Sequence, residues 1–147
     1  MKQGILKNSL IAWVGALIAN AANTDSNSSR LDMAGYEGVI FFGAINDSAA
    51  TGVATLTVEG NTIDSDTGMV AITGAAATKT CTVNDDINNT LLVVEVKNPL
   101  KRYVQGVRTS ATANIAFGEL HAIRYGAKEK PVTADATVSA GTFVVGS

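Results

Sequence analysis

Gly38-Val-Ile-Phe-Phe-Gly-Ala-Ile45 is the stretch on which the fold of this chain turns. Read with the two-residue period of a strand, Val39, Phe41 and Ile45 fall on one side and Ile40, Phe42 and Ala44 on the other. Both sides are apolar, as in a strand covered on both faces, so the segment is expected at the centre of a core, with Phe41 and Phe42 inside it. Ala54-Thr-Leu-Thr-Val-Glu59 behaves differently. Ala54, Leu56 and Val58 alternate with Thr55, Thr57 and Glu59, which predicts a half-buried strand, ended by the polar turn at residues 61–68.

Outward from these two, residues 69–73 and 78–83 are shorter strand candidates separated by Gly74-Ala-Ala-Ala77. Residues 84–89, Asn-Asp-Asp-Ile-Asn-Asn, are turn formers. Residues 90–96 make a strand that Asn98-Pro99 breaks, because proline lacks the N–H a ladder needs. Residues 102–109 and 113–125 supply two more, with Gly118 a candidate bulge in the last. About eight short strands between Gly, Asn, Asp and Ser turns, with no long amphipathic helix, predict an all-β protein, an antiparallel β-sandwich or jelly roll. The expected organisation is an N-terminal arm or strand with a polar loop over residues 1–29, a sandwich over 30–126, and an extended tail over 127–147 that has little to hold it internally.

The N-terminus admits two readings. Lys2 and Lys7 precede the apolar run Leu10-Ile-Ala-Trp-Val-Gly-Ala-Leu-Ile-Ala19, and Ala19-Asn-Ala21 fits a small-residue cleavage site, so the segment resembles a secretory signal. The run is too short to span a bilayer, which takes about 20 apolar residues, and no membrane association is expected. The preferred reading is a mature strand or arm packing its Ile, Trp and Val side chains on this domain or on a neighbour.

Composition narrows the function. The 147 residues are 46% hydrophobic, 5% aromatic and 16% charged, with a net charge of -2, which excludes disorder and argues against a protein built to neutralise phosphates. One His and one Cys preclude a disulfide framework and a Cys/His zinc site. No cofactor is expected, and a hydrolase without a recognisable nucleophile–base pair would be unusual, so the chain is read as non-enzymatic.

Three blocks carry a family resemblance: Leu31-Asp-Met-Ala-Gly-Tyr-Glu-Gly-Val-Ile-Phe41, Asn98-Pro-Leu-Lys-Arg-Tyr-Val104 and Ala122-Ile-Arg-Tyr-Gly-Ala-Lys-Glu-Lys-Pro-Val132. From about Arg30 onward the chain resembles the small jelly-roll cement, or decoration, proteins of tailed-phage capsids and related prophage structural proteins. That resemblance implies a homo-oligomeric virion component, dimer or trimer, made in the host cytoplasm and bound to the outer surface of the capsid. Its partner would be the major capsid protein, whose neighbouring subunits it would fasten. The alternatives are an exported carbohydrate- or surface-binding β-sandwich module, which would follow from a genuine signal, and a tail or neck component of the virion.

Candidate sites follow from residue type. Trp13 is the expected interface anchor, since aromatics dominate binding hot spots. Seven of the eleven basic residues follow Cys81. Among them Lys101, Arg102, Arg108 and Lys128 are expected to meet acidic patches on a coat subunit, where charge sets orientation. Aromatics are too few there to stack bases, so no specific nucleic-acid partner is expected. Asp64-Ser-Asp66-Thr-Gly68 resembles the opening of a calcium loop but lacks its closing Glu, and reads as a polar turn, as does Asp85-Asp86. Glu119 and His121 share a strand face, where a cross-strand or interface contact is expected rather than acid–base work. Cys81 reads as an inert small side chain.

Overall fold

In a computed structural model, which describes residues 4–146, one helical turn, α1 (Ile5–Asn8), precedes ten strands. They are β1 (Leu10–Gly15), β2 (Ile18–Ala21), β3 (Thr24–Asn27), β4 (Leu31–Asp32), β5 (Gly38–Ser48), β6 (Val53–Asn61), β7 (Val70–Thr80), β8 (Thr90–Lys97), β9 (Tyr103–Ala111) and β10 (Ile115–Tyr125). The first sheet has the order β1-β10-β5-β8, with β2 also on β10, and the second β3-β9-β6-β7, with β4 also on β9. Every pairing is antiparallel. The protein is an all-β sandwich, and its two strand orders are those of an eight-strand jelly roll. Residues 1–3, including Lys2 of the signal-like start, and residue 147 lie outside the described residues.

The alternation anticipated in β6 is realised: Ala54, Leu56 and Val58 are fully buried and meet Val39, Phe41 and Ile45 of β5 in the core between the sheets. Burying a side chain of this kind stabilises by about 1.5–3 kcal/mol before the entropy of ordering is subtracted, so this double row is what holds the layers together.

Four expectations are corrected. The N-terminal segment is the strand packing on this domain, so the sandwich begins before Arg30: β1 is an edge strand of the first sheet, pairing Leu10 with Arg124, and β3 an edge strand of the second. Ala12 and Val14 of β1 are buried, so this part of the signal-like run packs in the core. In β7 the two short candidates are one strand carrying a bulge. Its register passes from Thr57↔Ala76 to Glu59↔Ala71, the surplus residues loop out at Gly74 (φ 81°), and Ala75 turns into the core. In β5 only one face is covered: Ile40, Phe42 and Ala44 remain half-buried. Lastly, the C-terminal segment is held. Ala127 N donates to Asn8 O, Val132 N to Lys7 O, Trp13 N to Thr137 Oγ1, and Arg124 pairs with Asp135 at 3.3 Å, so it runs beside β1.

Candidate adhesion surface

The outer face of the first sheet is built by the odd-parity side chains of β1, β8 and, after its bulge, β10, and the even-parity ones of β5. Register aligns them in rows across the sheet. One row reads Trp13, His121, Phe42, Val93, and the next Ile11, Ile123, Ile40, Glu95. Trp13 is 40% exposed, Val93 50% and Leu91 62%, and Phe42 stacks on the His121 imidazole with ring centroids 5.5 Å apart. Four strands at about 4.8 Å spacing make this face roughly 19 Å wide. An apolar face of that breadth on a water-facing sheet is a candidate docking surface.

Charge is confined to its margins. Glu95 accepts a 2.6 Å hydrogen bond from the Tyr125 hydroxyl, and burial, with that carboxylate, pushes the Tyr125 phenol up to about 12. At the other margin Glu119 Oε2 stands 4.0 Å from His121 Nε2, with no nucleophile between them. Beside them a shallow cleft of about 440 Å³ opens between Leu17, Ala44, Leu91 and the Phe42–His121 stack. Leu17 and Leu91, which sequence reading passed over, line it; the odd-position parity of Leu91 with Val93 was the available signal.

The basic candidates divide. Lys101, Arg102 and Lys128 are exposed and border one turn, Ala34–Tyr36, whereas Trp13 stands on β1. Arg102 is not a free charge: its Nε and Nη2 donate to Asp32 at 3.0 and 2.8 Å. That pairing, above all its hydrogen bonds, raises the Arg102 pKa and holds the Asp32 carboxyl below the usual carboxylate range. Arg108 is no surface residue at all. It is 3% exposed and points between the sheets, where Nη1 donates to Gly118 O at 2.6 Å, and burial lowers its pKa. The reason is the bulge in β10 between Phe117 and Leu120, which turns a carbonyl inward for the guanidinium to satisfy.

The strand break at Asn98-Pro99 carries a feature that residue type alone did not flag. Leu100 is 97% exposed at the tip of the β8–β9 loop, with Lys97 and Lys101 on either side. The loop is pinned at its base by Asn98 N donating to Glu37 O at 2.6 Å and Met33 N to Arg102 O at 2.7 Å.

The remaining candidates are structural. Asp64 and Asp66 both pair with Arg30, at 2.5 and 2.8 Å, so the calcium-like turn spends its carboxylates on a guanidinium. Asp86 caps the amides of Thr82 and Val83. The neighbouring Cys81 thiol and these amides hold its carboxyl below the usual range. Cys81 is buried, with Sγ 3.0 Å from Val83 O. Among the described residues no three His, Cys, Asp or Glu side chains gather to hold a metal ion, and no helix is long and apolar enough to cross a membrane. Compared with known proteins, the chain matches no family model and no curated protein.

Proposed function

We propose that this chain is a non-enzymatic virion structural protein, a cement or decoration protein that binds the outside of a tailed-phage head and fastens neighbouring major-capsid subunits. The observation that carries this reading is the unpaired apolar face of the first sheet, with Trp13 and Phe42 as its anchors. A protein that works by adhesion needs buried area without chemistry: a specific contact covers about 1,200–2,000 Å² in total, and aromatic anchors contribute most of its affinity. The exposed cations Lys101 and Lys128 would orient docking, as charge does at such interfaces. Many copies on one shell add avidity to each weak contact and resist outward pressure from packaged DNA.

Co-sedimentation with expanded heads of the same phage or prophage that lack the protein tests the reading. The expected result is saturable binding that Phe42→Lys abolishes while the isolated variant keeps its β spectrum. Wild-type protein remaining in the supernatant at every concentration would overturn it.

A further inference from the structure

We infer that the protein also associates with itself, head to tail, the Leu100 finger of one copy entering the cleft on the outer sheet face of the next. This deepens the adhesive reading by naming a second copy as a partner, and rests on it only in taking that face as a docking surface.

Finger and cleft complement each other in shape and charge. The finger is a leucine held clear of the body on a loop tied down at both ends, with Asn98 N on Glu37 O and Arg102 on Asp32. Because Asp32 neutralises Arg102, the charges left beside Leu100 are Lys97 and Lys101, neither of which has an ion-pair partner among the described residues. The cleft presents the opposite: a lining of Leu17, Phe42, Ala44 and Leu91 with Asn46, and Glu119 on its rim, half exposed, whose ion-pair partner among the described residues is the imidazole of His121. A leucine entering it would bring a lysine collar to a carboxylate.

The two features cannot meet within one chain. Leu91 lies six residues before Lys97 on β8, about 20 Å along an extended strand, and each is anchored to the same sheet. Both are therefore open at once in every copy. A contact between two different patches is heterologous, and its repetition gives a ring where the rotation closes and an open chain where it does not.

Sedimentation velocity on the full chain, without capsids, tests this over a range from low to high micromolar concentration. The wild type is expected to grow beyond a monomer. Leu100→Asp, at a position 97% exposed, should weaken association about tenfold or more. Glu119→Lys alone and Lys97→Glu with Lys101→Glu should each weaken it, and the three combined should restore it. Mixing Leu100→Asp with the cleft variant Leu91→Asp leaves one intact finger and one intact cleft, so a dimer and nothing larger should form. A wild type that stays monomeric, association indifferent to Leu100→Asp, or a triple variant without rescue would each overturn the inference. Capsid binding is absent from this assay, so its failure elsewhere would leave these outcomes unchanged.

Discussion

The sandwich has two outer faces made by the same ladder chemistry, and they treat water in opposite ways. On the second sheet exposed outward hydroxyls pair with one another or with a carboxylate. Thr55 and Thr78 share a 3.1 Å hydroxyl contact, and Thr109 Oγ1 donates to Asp25 at 2.7 Å. On the first sheet the corresponding positions carry Trp13, Phe42, Ile40, Ile123 and Val93. The exposed apolar surface of Trp13 and Val93 costs free energy that burial against a partner would recover. The sheets teach that the binary pattern of a strand reports burial, and says nothing of whose atoms do the burying.

The largest expected effect comes from putting the same charge at the centre of each face. Phe42→Lys should reduce binding to undecorated heads by about a hundredfold or more, as loss of an aromatic anchor does. Thr57→Lys, at the middle of β6 on the polar face and next to Glu59, should change it by less than about twofold. Both variants should keep the wild-type far-ultraviolet spectrum. Equal losses from the two substitutions would mean that the faces are not functionally distinct.

A second contrast concerns the inside. Where the first sheet places apolar groups toward water, the second places a cation toward the core, in Arg108. Its guanidinium lies against Gly15, and its Nη1 satisfies the Gly118 carbonyl at the bulge. Arg108→Ala should therefore destabilise by about 3 kcal/mol, from the cavity and from the orphaned carbonyl together. Arg108→Met keeps much of the volume and removes a buried charge, so it should cost roughly half as much. Equilibrium urea unfolding distinguishes them, and a silent Arg108→Ala would mean that the guanidinium is solvated in solution.

These two residues also mark the limit of what the sequence discloses. The strict alternation at residues 54–59 specified its inward side chains, and the Gly118 bulge and the break at Asn98-Pro99 were legible because glycine and proline act through their own backbones. The doubly apolar segment at residues 38–45 was legible as a central strand, yet its second face, Ile40, Phe42 and Ala44, is only half-buried among the described residues. Arg108 was misread because cations are rarely buried, although it shares parity with Val104 and Gly106, which face the core. The apolar run at residues 10–19 admits a leader reading beside the preferred strand or arm because the partner of β1, β10, lies more than a hundred residues away. Leu100 escaped notice since a single exposed leucine has no pattern. Only the pinned loop beneath it makes it a finger.

The margin of the apolar face provides a spectroscopic check. Tyr125 donates to Glu95 at the edge of that face, and burial first, then the carboxylate, favours its neutral form up to about 12 against an ordinary value of 10.0. Because the folded pKa is raised, the stabilisation is fully present below the unfolded value and is lost as pH rises through about 12. Absorbance titration of tyrosinate should then show a late-ionising phase that Tyr125→Phe removes. If wild type and variant differ only in total amplitude, with no late phase, the phenol lies in open water.

The smallest effect belongs to the exposed pair beneath the finger. Arg102 holds the Asp32 carboxyl below the usual range through their hydrogen bonds, with burial opposing and the Ala34 amide assisting. A depressed carboxylate pKa stabilises the fold above the unfolded value, near about 4, and that contribution disappears as pH falls through the folded value. Both side chains are about half exposed, so solvent and salt screen the attraction. Asp32→Asn should lower the melting midpoint by only about 1–2 °C at neutral pH and low salt. The difference should vanish in acid, where wild type carries the neutral carboxyl too. Self-association should respond more than stability does: with Asp32 neutral, Arg102 joins Lys97 and Lys101 as a free cation at the finger. Attraction to the Glu119 rim should then strengthen and become more salt-sensitive. A variant that melted much lower, or associated no differently at low salt, would show that the pair braces the loop instead of setting its charge.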